Sequence, residues 1–503
     1  MVYLFIALIV LIIPRYYLSY LLNRETAMTT GDAIFHLTIV KEFYRTGGKP
    51  IDMSCLYILD ESESDYPYGF HKLFYLLGIP VSWLERNGGY LPIISDALLL
   101  LLTYFAMNIF GGGHYEWLLL FPFISLLWDN NGRAAHFSER AFGVLWGNIY
   151  LFSAVAYVTT TELYFVLMAV VSFTVFSISS KFAWQATLFI SLLISAFNFT
   201  IDFVVIYLGC FLASIFITQG YSLKVLKGLI RHSYFYQSYL SQRYLSLKSS
   251  YGDLLKFNNW SSYIYMLSNN SILKVLYGIP FLLVMLISPS TIEAYPLGMF
   301  WLVASVFLVF LTATEALKFL GEPERYLEFG IIPAFLLISF ISVSSLNILI
   351  IIIVCLASLL PLLTKIYTHW KVPQSTSKYQ KDLSSLGIWF DAIEGKRCVA
   401  IDFRLAFFLG YQNNKNKFLT FFSNIGKGER GVEYKNILKD FFPFISNDLA
   451  PIIKKYKIDL IFVARGSVNN LHSQVGTYYD FSNFELVYSS DSFFVFKVRY
   501  KGE

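Results

Sequence analysis

Long apolar runs separated by short polar gaps fill the chain from its first residues to about residue 370. The run VYLFIALIVLIIPRYYLSYLL, residues 2 to 22, holds a single charge and is long enough to cross a bilayer as a helix, which takes about 20 residues. A cleaved signal peptide would call for a basic start and a small-residue cleavage site; neither is present, so the run reads as a first span. Further apolar runs lie roughly at 91 to 110, 115 to 128, 141 to 158, 162 to 180, 182 to 199, 201 to 218, 272 to 290, 297 to 317, 329 to 345 and 347 to 367. Together they predict about eleven transmembrane helices. The stretch FHKLFYLLGIPVSWL, 70 to 84, is short for a span and carries His71 and Lys72, so a re-entrant or interfacial helix fits it as well as a twelfth crossing does.

Three segments are polar enough to leave the membrane: a first loop that opens at Asn23 and includes DESESD at 60 to 65, the segment 219 to 271, and the tail from about Pro373. The division expected is a membrane region over 1 to 370, with 23 to 90 as its first external loop, and a soluble α/β domain over 374 to 503. In the tail, KRCVAIDF (396 to 403) and KIDLIFVA (457 to 464) are rich in strand-formers, and DLAPIIKKY (448 to 456) has helical spacing. FELVYSSDSFFVFKVRY (484 to 500) reads as two strands around a Ser-Ser-Asp-Ser turn. About 130 residues suffice for a core of their own.

Composition agrees with the pattern. The chain is 56% hydrophobic and 15% charged, with mean hydropathy +0.55, whereas a soluble chain carries about 25% charged residues. A net charge of +5 spread over 503 residues gives no footprint for nucleic acid. The four cysteines are scattered, which rules out both a disulfide framework and a metal-site spacing. Charge does bear on topology. With twelve spans the basic loop 219 to 271 falls inside, as the positive-inside rule prefers; with eleven, all three polar segments share one face.

Ionisable residues near span ends are costly to keep there and are therefore candidates for function. In TTGDAIFHLTIVKEF, 29 to 43, helical spacing puts Asp32, His36, Ile39, Val40 and Phe43 on one side and Thr38, Lys41, Glu42 and Arg45 on the other. A helix N-cap is the plain alternative for Asp32. SESDYPYGFHK, 62 to 72, offers Glu63, Asp65, Tyr66, Tyr68, His71 and Lys72 around a turn made by Pro67 and Gly69. WDNNGRAAHFSER, 128 to 140, gathers Asp129, Arg133, His136, Glu139 and Arg140, and GEPERYLEFGIIP, 321 to 333, brings Glu324, Arg325 and Tyr326 to the mouth of a late span. The guanidinium fork of Arg325 suits phosphate oxygens, although interfacial anchoring explains the segment as well.

The order of these elements resembles polytopic glycosyltransferases of the GT-C class, including the protein O-mannosyltransferases and the aminoarabinose transferases that modify lipid A. Asp32 with Phe35-His36 looks like their acidic first-loop motif. Asp65-Tyr66-Pro67-Tyr68-Gly69-Phe70-His71-Lys72 is similar to their Asp-x-His-Pro-Pro-x-x-Lys element, with one proline missing and the histidine displaced. Glu324-Arg325-Tyr326-Leu327 with Pro333 resembles their late-loop motif, and Arg133 and Glu139 lie, with looser spacing, where the family often has an Arg and an acid.

The resemblance implies an α-helical polytopic membrane protein of GT-C type with a soluble α/β tail; the first loop, the late loop and the tail are all expected outside, which favours the eleven-span arrangement and leaves the basic loop 219 to 271 outside as well. It implies a sugar donor on a polyprenyl phosphate or diphosphate and an acceptor hydroxyl on a glycan, lipid or protein. The setting implied is a bacterial or archaeal plasma membrane, or an endoplasmic reticulum membrane in a eukaryote. Asp32 is expected as general base, with Asp65 the second catalytic candidate. Arg325, Lys72, His71 and Arg133 are expected at the leaving phosphate, and His36, Tyr66, Glu139, Glu324 and Tyr326 as substrate contacts. No resident cofactor is implied with certainty; Glu63, Asp65 or Glu139 offer oxygen ligands for a divalent cation, Mg or Mn. Competing readings are a polysaccharide polymerase or ligase, and a transporter, for which Asp202 would be the main ionisable residue inside an apolar stretch.

Overall fold

In the computed structural model the described residues are 1–26, 31–59, 65–128, 137–237, 272, 295–314, 316–342, 348–350, 352–356, 373–420, 433, 436–438, 444–476 and 478–500. An apolar bundle is built from α1 (Val2–Thr26), α5 (Leu91–Ile109), α6 (Phe121–Trp128), α7 (Arg140–Thr160), α8 (Leu163–Ser177), α9 (Lys181–Phe197), α10 (Asp202–Ile217), α12 (Pro296–Thr312) and α13 (Ile331–Ile338). Its core is one continuous cluster running from Leu4 through Trp117, Tyr150, Phe173 and Trp301 to Ile338. Small residues let the backbones approach: a methyl at Gly147 would stand 2.5 Å from the Phe329 ring, and one at Gly143 2.5 Å from Ser180. Arg15 of α1 and Asp96 of α5, both within apolar runs, form a buried ion pair at 3.2 Å. Asp96 has no obvious partner in the sequence, because the arginine lies a whole polar loop away. Asp202, by contrast, is exposed in the first turn of α10.

Among the described residues two helices are long and apolar enough to cross a membrane, Val81–Ile109 and Arg140–Thr160, and a third if α10 and α11 (Tyr221–Phe235), bent by 118°, count as one span. Five apolar helices are shorter. The expected eleven spans are thus not reached among these residues, and the runs at 272 to 290 and 347 to 367 fall largely outside them. The stretch 70 to 84 does not form one continuous helix. It is split between α3 (Gly69–Leu76) and α4 (Val81–Asn87) by a turn at Gly78 with φ +66°, and α4 leads into the Val81–Ile109 helix.

The two ends of the bundle differ. At one end the connections are tied to one another across the bundle: Gly113 and His114 donate backbone hydrogen bonds to the Ser339 carbonyl, and the Trp117 indole donates to the Ile341 carbonyl. At the other lie the first loop, with α2 (Gly31–Thr46), residues 137–140, the α8–α9 turn, α11 and the 3-10 segment Pro323–Phe329.

The tail folds as expected from its pattern. Its five-stranded sheet has the order β2-β1-β3-β5-β4, where β1 is Arg397–Ala400, β2 Lys417–Phe418, β3 Leu460–Ala464, β4 Glu485–Ser489 and β5 Phe493–Lys497. β1 pairs parallel with β2 and β3; β5 pairs antiparallel with β3 and β4. α14 (Pro373–Asp391), α15 (Phe403–Gln412), α16 (Leu449–Tyr456) and α17 (Arg465–Val475) pack around it. The first loop joins this sheet: Ile58 donates to the Phe418 carbonyl, Phe418 to that of Leu56, and Leu59 to that of Thr420. A shared core then links Ile34, Val40, Tyr57, Leu409, Phe418 and Phe462.

This contact corrects the expected orientation of α2. Ile39, Val40 and Phe43 are buried as the spacing implies, but Thr38 and Glu42 on the opposite side are buried too. The tail covers that side, with the Lys41 ammonium donating to the Tyr411 carbonyl at 2.6 Å.

Candidate functional site

Three predicted segments meet at the loop-bearing end of the bundle. His36 projects from α2 and His71 from α3, with rings stacked at 5.0 Å between centroids and Nδ1 of His36 2.8 Å from Nε2 of His71. Nε2 of His36 lies 2.9 Å from Oε2 of Glu139, the residue that opens α7. A carboxylate, an imidazole and a second imidazole therefore form one hydrogen-bonded line: the His36 N–H donates to Glu139, and a single proton is shared between the rings. Burial holds the His71 pKa well below its ordinary 6.5, and the neighbouring His36 adds to this, so His71 is neutral near pH 7. Burial alone would raise the Glu139 pKa, but the charge and hydrogen bond of His36 outweigh it and bring it down to about 2.

The Asp65 turn sits beside this line. Asp65 is 4% exposed and pairs with Arg231 of α11 at 3.3 Å. Tyr221, also of α11, accepts from the Tyr68 backbone N–H and donates to the Tyr66 carbonyl, while Gly69 donates to the Ile178 carbonyl at 2.7 Å. The Lys181 ammonium, at the start of α9, lies 4.9 Å from the centre of the Tyr66 ring. The shaped turn expected from Pro67 and Gly69 is thus fixed by three surrounding helices.

Arg140, next to Glu139 in the chain, turns the other way and joins the late segment. It pairs with Glu328 at 2.5 Å and Glu322 at 3.6 Å, and Glu322 also takes Nε of Arg325 at 2.8 Å. Arg325 stacks over Phe182, and Tyr326 accepts from Gln185 at 2.6 Å. Burial would lower the Arg325 pKa, but Glu322 raises it further, so this group stays charged. Glu324 is 5% exposed.

Of the expected site residues, His36, Asp65, Tyr66, His71, Glu139, Glu324, Arg325 and Tyr326 belong to this continuous region. Lys72 does not share it in the same way: it is exposed, on the outer side of α3. Asp32 falls in the first turn of α2, one residue inside the helix start, and its side chain lies outside the described residues. Arg133 and Glu63 also lie outside them. Sequence reading passed over Lys181, Arg231, Glu322 and Glu328 as site residues. Lys181 merely heads an apolar run and Arg231 sits among many basic neighbours, so nothing local distinguishes them.

Of the carboxylates offered for a divalent cation, Glu63 lies outside the described residues and the other two are engaged by nearby cationic or imidazole groups. Asp65 faces Arg231 and Glu139 faces His36, and among the described residues no group of three or more His, Cys, Asp or Glu side chains is arranged to hold a metal.

A cavity of about 330 Å3 lies where α2 meets the tail. Ile34, two residues after Asp32, forms one wall, and Asp402, Arg404, Ala464, Gly466 and Ser467 form another. These tail residues stand at the carboxyl ends of β1 and β3, where the parallel strands' connections diverge. Asp402 caps α15, accepting from the Arg404 backbone, the Arg404 guanidinium and the Ser467 hydroxyl.

No protein-family model matches the chain, and no curated protein matches it by sequence. Solved structures do match it. The oligosaccharyltransferase of Archaeoglobus fulgidus in its apo form aligns over 97% of this chain and 74% of that one, with TM-score 0.60 and 11% identity. A second structure of that enzyme, tethered to an acceptor peptide, aligns over 91% and 69% with TM-score 0.47 and the same identity. From the bundle through to the tail, the fold is similar to that of an archaeal oligosaccharyltransferase.

Proposed function

We propose that the chain is a membrane glycosyltransferase of GT-C type, moving a sugar from a polyprenyl-phosphate or diphosphate donor to an acceptor hydroxyl on the external face. The observation that carries this reading is the meeting of the His36–Glu139 line, the Asp65 turn and the Pro323–Phe329 segment at one end of an apolar bundle. The likeness of the whole fold to an oligosaccharyltransferase supports it.

An acceptor hydroxyl is a weak nucleophile at neutral pH and needs a base as the new C–O bond forms. Asp32 is that base in this reading. It starts a helix whose next turn carries His36, which is tied to His71 and Glu139. A single displacement inverts the anomeric centre and releases the lipid phosphate, whose growing charge calls for fixed cations. The acceptor approaches through the cavity beneath Ile34, which opens beside the first turn of α2.

The test is incubation of the purified protein with a panel of radiolabelled polyprenyl-phosphate sugars. Label should pass to an acceptor or to water from at least one donor; if none loses label, the glycosyltransferase reading fails. Asp32→Asn should then slow transfer by about 100-fold or more, the low end for a lost general base. A normal rate in a correctly inserted variant would remove Asp32 from the role.

A further inference from the structure

Lys181 is the cation at this site whose charge is least answered. Its ammonium rests over the face of Tyr66, and it is only partly exposed. Asp65 and Glu139 both act on it electrostatically, yet each gives its close contact to another group, Asp65 to Arg231 and Glu139 to His36. Among the described residues no carboxylate forms an ion pair with Lys181. Its position adds to the imbalance, because a positive side chain at the start of the 17-residue α9 meets the positive end of the helix dipole. His232 of α11 is near enough to feel the same charge. A cation held half-buried beside a helix N-terminus and a second cationic helix is stabilised by an anion. Arg325, the sequence's first choice for that anion, already has Glu322 at 2.8 Å.

We propose that Lys181 binds the phosphate of the lipid-linked donor and neutralises it as it leaves. The proposal rests on the glycosyltransferase reading above. In the transfer step, the bond from the sugar's anomeric carbon to the phosphate oxygen breaks, and its electron pair stays on that oxygen. The acceptor oxygen bonds to the same carbon and gives up its proton to the base. Lys181 keeps its own protons throughout and acts as a fixed charge, with the Tyr66 ring holding its stem in place.

The test uses the full chain in detergent and radioactive polyprenyl phosphate as the probe, with the uncharged polyprenol as its counterpart. Lys181→Gln should weaken polyprenyl phosphate binding about tenfold or more, Lys181→Arg should recover most of it, and polyprenol binding should be the same in all three proteins. Lys378→Gln, at an exposed pair in the tail, serves as the control. Equal binding of polyprenyl phosphate by wild type and Lys181→Gln overturns the assignment while leaving the lipid-phosphate reading intact. Loss of polyprenol binding alongside phosphate binding shows a packing role and also overturns it. If the wild type binds polyprenol and polyprenyl phosphate equally, the function reading falls and the assignment falls with it.

Discussion

Glu139 and His71 are tied to opposite ends of His36, and each makes stability depend on pH in its own window. The Glu139 pKa is depressed, so its contribution is complete above its ordinary 4.5 and disappears as pH falls towards about 2. His71 is buried in its neutral form; an unfolded chain takes up a proton there near 6.5, so stability declines as pH drops below that value. Thermal unfolding followed from neutral pH downward should show both losses in the wild type. Glu139→Gln should lack the lower one and His71→Gln the upper one; parallel curves for all three would show that the line is not linked to protonation. At this scale the sequence was half legible. His36, Asp65, His71 and Glu139 stand out because charge is conspicuous among apolar residues. Their pairing was hidden because partners such as Arg231 come from distant helices, and because His36 joins His71 and Glu139 across three separate segments.

Among the elements, α11 decides how the Asp65 turn is held. Its Gly228 leaves no room for a side chain: a methyl there would lie 2.6 Å from the Asp65 carboxyl carbon and 2.9 Å from the Asp65 carbonyl oxygen. Gly228→Ala should cost about 1 to 3 kcal/mol, the usual range for overpacking. Its thermal midpoint should fall together with its transfer rate, whereas an unchanged midpoint would mean that α11 does not press on this turn. Apolar runs and alternating strands showed the helices and the β4–β5 hairpin plainly, because each rests on local periodicity. The break of 70 to 84 into two short helices was less plain, since Gly78 is one residue in a continuous apolar stretch. Thr38 and Glu42 were misread for a different reason: their burial comes from chain packed around α2, such as the tail at Lys41 and the loop beyond Arg45, which a helical wheel cannot see.

For the molecule as a whole, the first loop and the tail form a single apolar core, with Ile51, Met53 and Tyr57 packed among Leu405, Leu409 and Phe418. A chain ending at residue 372 should therefore expose this surface, run as aggregate on gel filtration and show no transfer. A monodisperse truncation would mean that the loop is stable alone. The same contact bears on topology. Charge favoured placing the basic segment apart from the first loop, yet Arg231 and Tyr221 touch that loop and the tail does too. Cysteines placed at Asp52 and Ser482 should accordingly react with an impermeant reagent from the same side of the membrane. Lys41 and Tyr411, joined across this core, are 370 residues apart in the chain. During synthesis the first loop thus emerges long before the strands that complete it, and must wait through the insertion of the whole bundle. The helix that carries Asp32 therefore gains its final surroundings only after the tail strands have been made, and a chain interrupted before them should show no transfer.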